Sequence, residues 1–179
     1  KLPLVNQSKT SFLLWTTTPW TVPGNVAVAV NNKEKYVKVK NKDEFLILME
    51  KRYQALKNDL GLDEVVEKFS AKDLIGLEYI GPFDNTPLAE KVKKENPSGW
   101  HFVVSGFLRG EELVTSDEGT GLLHVAPGAG EEDFLLGKEI NLGVIDAQSK
   151  EGDLIVVPGK VLSQGNIGKK VRVIALRFS

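Results

Sequence analysis

Apolar residues fall mainly in short runs that alternate with polar residues, which is the pattern of β-strands. Turn-forming residues, such as Asn31-Asn32-Lys33 and Asn41-Lys42-Asp43, separate the early runs. The predicted strands are residues 11–15, 26–30, 36–39, 45–49, 100–108, 121–125, 154–157 and 171–176. Many short strands joined by short loops favour a closed barrel or a sandwich.

Three segments have helical features instead. Residues 50–60 carry apolar side chains at helical spacing and end before Gly61, a natural C-terminal cap. A second helix is predicted from Thr86-Pro87 to residue 95, because threonine caps a helix and proline suits its first turn. A third covers residues 132–140. We therefore expect one mostly β domain, residues 1–179, with peripheral helices.

Composition removes several kinds of chemistry. The 179 residues include no cysteine and only two histidines, which excludes disulfides, cysteine nucleophiles and thiolate zinc sites and disfavours any metal site. A net charge of −1 argues against gripping duplex nucleic acid along its length. No segment is typical of a signal peptide or membrane helix. Since the first residue is Lys, we interpret the chain as an excised fragment of a larger protein.

Residues 15–25, Trp-Thr-Thr-Thr-Pro-Trp-Thr-Val-Pro-Gly-Asn, are unusually rich in hydroxyl groups. Pro19 and Pro23 favour extended geometry before them and remove two backbone donors, which predicts a strand end and a fixed loop rather than a helix. Such a loop would present neutral hydroxyls beside Trp20. The alternative is a strand with a proline-rich turn, its threonines selected for β-branching.

Residues 119–134 form the second unusual segment, Gly-Thr-Gly-Leu-Leu-His-Val-Ala-Pro-Gly-Ala-Gly-Glu-Glu-Asp-Phe. The pattern places His124 on a strand and Asp133 in the first turn of the following helix, where the helix dipole favours carboxylates. A Thr18–His124–Asp133 triad is one hypothesis. The alternative is helix capping plus a structural histidine. His101, between Trp100 and Phe102, is predicted to face solvent.

Together these two segments resemble the CP1 editing domain of isoleucyl-tRNA synthetase. Residues 15–25 match the threonine-rich motif of that family, and residues 119–133 match its Gly-Thr-Gly-x-x-His-x-Ala-Pro-Gly-x-Gly-Glu-x-Asp motif. The resemblance covers about residues 10–140. Position 129 is Ala where bacterial relatives often carry His, and residues 141–179 match no family pattern.

The resemblance implies a closed β-barrel core and hydrolysis of valine from misacylated tRNA(Ile). An isoleucine pocket cannot strongly reject valine, which is one methylene smaller, so a second site must remove it. Catalytic roles are implied for Thr17, Thr18, His124 and Asp133, with Asp133 binding the α-ammonium. Contacts to substrate are implied for the side chains of Thr16, Trp20, Thr21 and Asn25.

The implied partners are the tRNA(Ile) 3′ acceptor end carrying valine and the rest of the parent synthetase, in the cytoplasm, with no cofactor, metal or membrane. No residue is an obvious general base, so we expect positioned water, hydroxyl contacts to the oxyanion and help from the adenosine vicinal hydroxyl. Valyl-adenylate is a second candidate substrate. The synthetase active-site signatures are absent, so no aminoacylation is expected. The competing hypotheses are a non-catalytic binding module for the acceptor end, a free-standing trans-editing hydrolase and an unrelated structural barrel.

Overall fold

The computed structural model describes residues 1–145, in which ten strands form three sheets. The strands predicted at residues 154–157 and 171–176 lie outside the described residues. The strands are β1 (Leu2–Pro3), β2 (Thr10–Phe12), β3 (Ala27–Val30), β4 (Lys35–Asn41), β5 (Glu44–Met49), β6 (Val65–Ser70), β7 (Phe102–Ser105), β8 (Phe107–Leu108), β9 (Glu111–Glu112) and β10 (Leu122–Val125).

The largest sheet has five strands in the order β1-β2-β5-β4-β6. Its centre is the β4–β5 hairpin, in which Asn41 pairs with Glu44 across the predicted turn and Lys42 adopts a left-handed conformation, φ +57°. Strand β2 pairs with β5 in parallel, through a connection that spans the intervening elements. Strand β2 ends at Phe12, three residues earlier than predicted, so the threonine-rich segment lies beyond the sheet.

The second sheet, β10-β3-β7, positions the candidate site. Every residue of β3 is fully buried, as is Val26 before it, which accounts for their small apolar side chains. Strand β10 runs antiparallel to β3, with His124 opposite Val28 and Val125 opposite Ala27. Strand β7 pairs with β3 in parallel. Strands β8 and β9 form a separate two-stranded ribbon.

The closed β-barrel prediction is wrong for the described residues, because none of these sheets closes on itself. A barrel requires continuous pairing around its circumference. Here the two larger sheets are joined instead through residues 77–80, by the single-residue bridges Leu4–Tyr79 and Glu78–Phe102. The described residues are rich in β-strands, as expected. These strands form open sheets whose edge strands do not pair with one another to close a barrel.

In the described part of the chain, four α-helices flank the sheets: α1 (Glu50–Leu60), α2 (Ala71–Leu74), α3 (Pro87–Glu95) and α4 (Glu131–Glu139). Helix α1 ends at Gly61 in the left-handed conformation, and the Thr86 hydroxyl caps α3 by accepting from Ala89 N–H, both as predicted. Helix α4 begins one residue before the predicted start. No helix within residues 1–145 is long and apolar enough to cross a membrane.

The expectation that the two prolines exclude a helix is also wrong. Pro19–Gly24 forms a 3-10 helix with Pro19 at its start and Pro23 inside it. Its backbone bonds run from Thr21 N–H to Thr18 C=O and from Asn25 N–H to Val22 C=O. Because neither bond needs a proline N–H, and proline φ suits a first helical turn, both rings are tolerated. A second 3-10 helix covers Pro97–Gly99.

Candidate active site

The two unusual segments meet because of the β3–β10 register. Asn25 lies two residues before β3, and Val26 N–H donates to Val125 C=O, which places Asn25 beside the end of β10. The 3-10 helix ends at Gly24 and therefore delivers Asn25 directly to this edge. Residues about 100 positions apart in sequence thus become neighbours.

Glycine residues let the segments approach closely at a second point. Gly119 has φ +57°, and a Cβ there would lie 3.0 Å from the Trp15 indole. Gly121 has φ +74°, and its Cβ would lie 2.3 Å from the Cβ of Met49. The Gly-Thr-Gly start of the second segment is thereby explained by backbone conformation and packing.

His124 makes the central contacts of the candidate site. Its Nε2 lies 3.0 Å from Thr21 Oγ1, and its Nδ1 lies 2.9 Å from Asn25 Nδ2. The ring is almost entirely buried, and burial lowers its pKa from 6.5 to about 4. The imidazole is therefore neutral near pH 7, which corresponds to one N–H donor and one acceptor nitrogen.

Three threonine hydroxyls, which we call the hydroxyl row, extend from His124 toward solvent. Thr21 Oγ1 lies 3.3 Å from Thr18 Oγ1, and Thr18 Oγ1 lies 3.2 Å from Thr16 Oγ1. Thr21 also donates to Thr18 C=O at 2.8 Å, and Thr16 Oγ1 accepts from Thr18 N–H at 3.0 Å. All three side chains are half-buried, so the row connects the buried histidine to the surface.

Asp133 lies in the first turn of α4, as predicted. Its Oδ2 accepts from the Ala126 N–H at 2.8 Å, which ties the helix start to the chain just past β10. Burial raises the pKa of Asp133, while the Ala126 hydrogen bond opposes that shift and the charge of Glu132 adds to it. No Lys, Arg or His within residues 1–145 lies within 4 Å of this carboxylate.

The triad hypothesis receives no support from these contacts. His124 hydrogen-bonds to Thr21 and Asn25, and not to Thr18 or Asp133. Thr17 is exposed and Trp20 half-buried, and neither side chain forms a hydrogen bond with another described residue. The structure therefore joins Thr16, Thr18, Thr21, Asn25 and His124 in one network, with Asp133 tied to the same strand end.

A group of aromatic residues that we did not assign to the site also contacts Asn25. The buried Tyr79 hydroxyl donates to Asn25 Oδ1 at 2.7 Å, and the Tyr79 ring stacks on His101 with centroids 4.9 Å apart. Trp100 packs on His101 from 4.2 Å. We call Tyr79, Trp100 and His101 the aromatic group. Tyr79 lies between Glu78 and Ile80, and neither neighbour marks it as a site residue.

The prediction that His101 faces solvent is wrong, since its side chain is 5% exposed. Its backbone has φ +46°, which turns the ring out of the alternation that the neighbouring residues predicted. Nε2 lies 3.0 Å from Asn25 C=O, and Nδ1 lies 3.0 Å from Asp84 Oδ1, at an angle outside that of a good hydrogen bond. Gly81 packs so closely that a Cβ would lie 1.9 Å from His101 Cε1.

The described residues contain no group of three or more His, Asp or Glu side chains that could hold a metal ion. The reactive potential of the site therefore lies in its hydroxyls, one neutral imidazole and one half-buried carboxylate. Such a set can orient water and bind a cation, and it lacks a strong nucleophile.

Among known proteins, isoleucine–tRNA ligases are similar to this chain. The chain is 36% identical over 157 residues to the isoleucine–tRNA ligase of Pyrococcus horikoshii, covering 85% of this chain and 14% of that protein. It is 37% identical over 161 residues to the isoleucine–tRNA ligase of Fervidobacterium pennivorans, covering 89% and 16%. The chain thus spans about one seventh of the length of these relatives. No family model matches the chain.

Solved structures share the fold at low identity. The crystal structure of GlLeuRS-CP1 superposes with a TM-score of 0.57 at 23% identity, over 76% of this chain and 45% of that one. The Plasmodium falciparum cytosolic leucyl-tRNA synthetase editing domain gives 0.51 at 13% identity, over 70% and 44%.

These likenesses define the class first: the chain has the CP1 editing-domain fold of the class I aminoacyl-tRNA synthetases. Its sequence relatives then narrow the assignment. The chain belongs to the isoleucyl-tRNA synthetase family, within the segment that forms the CP1 editing domain.

Proposed function

We propose that the chain hydrolyses the 3′-terminal ester of valyl-tRNA(Ile), using a water molecule positioned by the site. The partners in this proposal are the acceptor end of tRNA(Ile) and the rest of the parent synthetase, in the cytoplasm. Valyl-adenylate is a second candidate substrate at the same site. Both substrates carry a free α-ammonium, a small aliphatic side chain and an activated carbonyl.

The observation that carries the proposal is the hydrogen-bonded connection from His124 through the hydroxyl row. A series of polar side chains running from a buried imidazole to the surface is more than the packing of β3 and β10 requires. Neutral hydroxyls can orient a water molecule against an ester carbonyl, and orientation alone supplies a large part of a hydrolytic rate.

Asp133 is the group best suited to bind the α-ammonium. Its carboxylate is half-buried and no cationic side chain within residues 1–145 neutralises it. Burial raises its pKa, so a cationic ligand would relieve an unfavourable charge rather than compete with an existing partner. The free carboxylate oxygen beyond the Ala126 N–H contact is available for that contact.

Direct attack by a protein side chain is not part of the proposal. The chain has no cysteine. Within residues 1–145, His124 hydrogen-bonds to Thr21 and Asn25 rather than to Asp133, so the Thr–His–Asp arrangement of a hydrolytic triad is not formed there. Water is therefore the proposed nucleophile. An acyl ester trapped on Thr17 or Thr18 and detected by mass spectrometry would contradict this mechanism.

The first experiment follows ester loss when the full 179-residue chain is incubated with valyl-tRNA(Ile) and, separately, isoleucyl-tRNA(Ile). We expect hydrolysis of the valyl ester and little of the isoleucyl ester, because the larger side chain is excluded. Binding of tRNA without hydrolysis of either ester would reject the proposal and support a binding module.

Asp133→Asn tests the ammonium contact, because asparagine can still accept from Ala126 N–H but carries no charge. We expect hydrolysis to fall roughly 100-fold, the effect of losing a charge-assisted hydrogen bond of about 2–3 kcal/mol. Glu132→Gln is the matched control, with the same loss of charge at an exposed position of the same helical turn. Equal rates in the two variants would remove Asp133 from the site.

A further inference from the structure

The hydrogen atoms of the site have determined positions, and Asn25 sets them. Its Nδ2 lies 2.9 Å from Ala27 C=O and 2.9 Å from His124 Nδ1, while its Oδ1 receives the Tyr79 hydroxyl. A flipped amide would turn its oxygen toward the Ala27 carbonyl, placing two acceptors together. The amide NH2 must therefore point at both Ala27 and His124.

This orientation defines the tautomer of His124. The Asn25 NH2 group can only donate, so His124 Nδ1 must accept and carries no hydrogen. The ring hydrogen of the neutral imidazole therefore lies on Nε2. Nε2–H then donates to Thr21 Oγ1, 3.0 Å away. The partner of Nδ1 thus determines that Nε2 carries the proton, as is general for histidines in functional sites.

The direction continues along the hydroxyl row, where each hydroxyl has one hydrogen and two lone pairs. Thr21 gives its hydrogen to Thr18 C=O, so its contact with Thr18 Oγ1 requires Thr18 to donate. Thr18 therefore accepts from Thr16. Thr21 has no capacity left, whereas Thr16 and Thr18 each keep one unused lone pair and have no hydrogen for an oxyanion.

We propose that Tyr79 is a positioning residue of this site: its hydroxyl anchors the Asn25 amide in the orientation that Ala27 C=O selects, so that Asn25 keeps His124 as the Nε2–H tautomer and the hydroxyl row presents acceptors on Thr16 and Thr18 to the hydrolytic water. The inference rests on the proposed function for its kinetic part. A water that donates to these oxygens turns a lone pair toward the ester carbon, and stabilisation of the oxyanion falls to other donors.

Tyr79 suits this role because its hydroxyl is buried and has one strong partner. Burial raises its pKa well above the ordinary value, so the phenol keeps its proton, although the Asn25 contact acts in the opposite direction. Its ring is held between Phe12, in edge contact at 6.4 Å, and His101. The donor therefore has little freedom to turn away.

Ring-nitrogen NMR on 15N-labelled full chain gives a readout that does not depend on activity, and only two histidines need assignment. We expect wild-type His124 to carry its proton on Nε2. Asn25→Asp replaces the donor by an acceptor and is expected to move the proton to Nδ1. Tyr79→Phe leaves Asn25 Oδ1 without its donor, while Ala27 C=O still selects the amide orientation. We therefore expect this variant to shift the His124 ring-nitrogen resonances with the proton still on Nε2, and to lower hydrolysis of valyl-tRNA(Ile) about tenfold, which corresponds to 1.36 kcal/mol.

Tyr36→Phe is the matched control, since Tyr36 is also buried with a bonded hydroxyl, donating to Gly121 C=O and accepting from Asn31 N–H. Tyr36 lies on β4, and its hydroxyl contacts Asn31 just past the far end of β3, six residues or roughly 20 Å along the extended chain from Asn25. We expect Tyr36→Phe to leave the His124 nitrogen shifts and the rate unchanged, although both variants lose a buried hydroxyl.

A wild-type proton on Nδ1 would overturn the proposal. So would a Tyr79→Phe variant that matches Tyr36→Phe in rate or in the His124 nitrogen shifts. If Tyr79→Phe does not fold, the Asn25→Asp spectrum decides, and an unchanged Nε2–H tautomer there counts against us. If wild type leaves valyl-tRNA(Ile) intact, the proposed function fails, while the NMR result still judges the tautomer.

Discussion

The two histidines provide the most informative comparison within the molecule. Both are buried next to β3, and both contact Asn25, His124 through the side-chain amide and His101 through the backbone carbonyl. His124 otherwise meets a hydroxyl, whereas His101 meets a carboxylate and two aromatic rings. Asn25 thus contacts the hydroxyl-bonded His124 through its side chain and the aromatic-packed His101 through its backbone carbonyl.

The surroundings of His124 suit contact with a ligand, whereas those of His101 suit packing. The hydroxyl row is half-buried and leads to the surface, so the neutral imidazole beside it can serve an external ligand. The aromatic group is tightly packed, and Gly81 lies against its imidazole with no room for a Cβ. We therefore expect changes that disturb the packing around His101 to reduce stability first, and changes at Asp133 or the hydroxyl row to reduce hydrolysis first.

Gly81→Ala should have the largest effect, because its Cβ would lie 1.9 Å from His101 Cε1 and 2.6 Å from Asp84 Oδ1. We expect a loss of about 3 kcal/mol in the free energy of unfolding, the upper range for overpacking a buried site. Urea denaturation measures it. Gly110→Ala is the control: its Cβ meets no atom within 4 Å, so only its φ of +93° should cost stability, about 1 kcal/mol. Equal losses would show that the aromatic group can relax.

Lowering the pH should reveal the neutral His124. Its pKa is about 4 when folded and 6.5 in the unfolded chain, so between these values the unfolded state binds more protons. Stability is therefore complete above pH 6.5 and falls by roughly 3 kcal/mol as the pH drops to 4, at 1.36 kcal/mol per pKa unit.

The measurement is the difference between the pH–stability curves of wild type and His124→Gln, which cancels the titration of other groups. If the two curves run parallel between pH 6.5 and 4, His124 is not held in its neutral form.

Asp84→Asn should have the smallest effect, since the side chain is about one-third exposed and can still accept from Gly81 N–H. Burial alone would raise the pKa of Asp84, but contact with His101 and the Gly81 hydrogen bond lower it overall. We expect a loss of about 1 kcal/mol at neutral pH. Because the folded pKa is lowered, wild type keeps this stability above pH 3.8 and loses it below. A stability difference between wild type and Asp84→Asn that stays constant as the pH falls below 3.8 would refute the pairing with His101.

Local features of the chain predicted α1, α3 and α4, but not α2 or the 3-10 helix at Pro19–Gly24. Helices α1 and α3 have the predicted bounds, because Gly61 and the Thr86-Pro87 pair act on the backbone next to them. The predicted positions of Asp133 in the first turn of α4 and of His124 on β10 are also confirmed. The network among Thr21, Asn25 and His124 follows the two motifs, although the motifs do not say which hydroxyl contacts the imidazole.

The predictions were wrong where the outcome depended on contacts between segments that are distant in sequence. Short strands predicted β structure, but whether their sheets close depends on which edges meet, and here residues 77–80 join the sheets by single bridges. His101 was misassigned because alternation assumes an extended backbone, and its φ of +46° breaks that assumption. Tyr79 has no sequence signal at all for its contact with Asn25, 54 positions away.

By itself, the amino-acid sequence determined where α1 and α3 begin and end and which residue types are available for chemistry, since caps, turns and side-chain inventories act over a few residues. Only the tertiary structure decided how Asn25 uses its two polar groups, because the pairing of β3 with β10 and the packing of Tyr79 and His101 bring together atoms that the chain keeps far apart. The direction of a hydrogen bond depends on donors and acceptors from several segments, so no single segment predicts it.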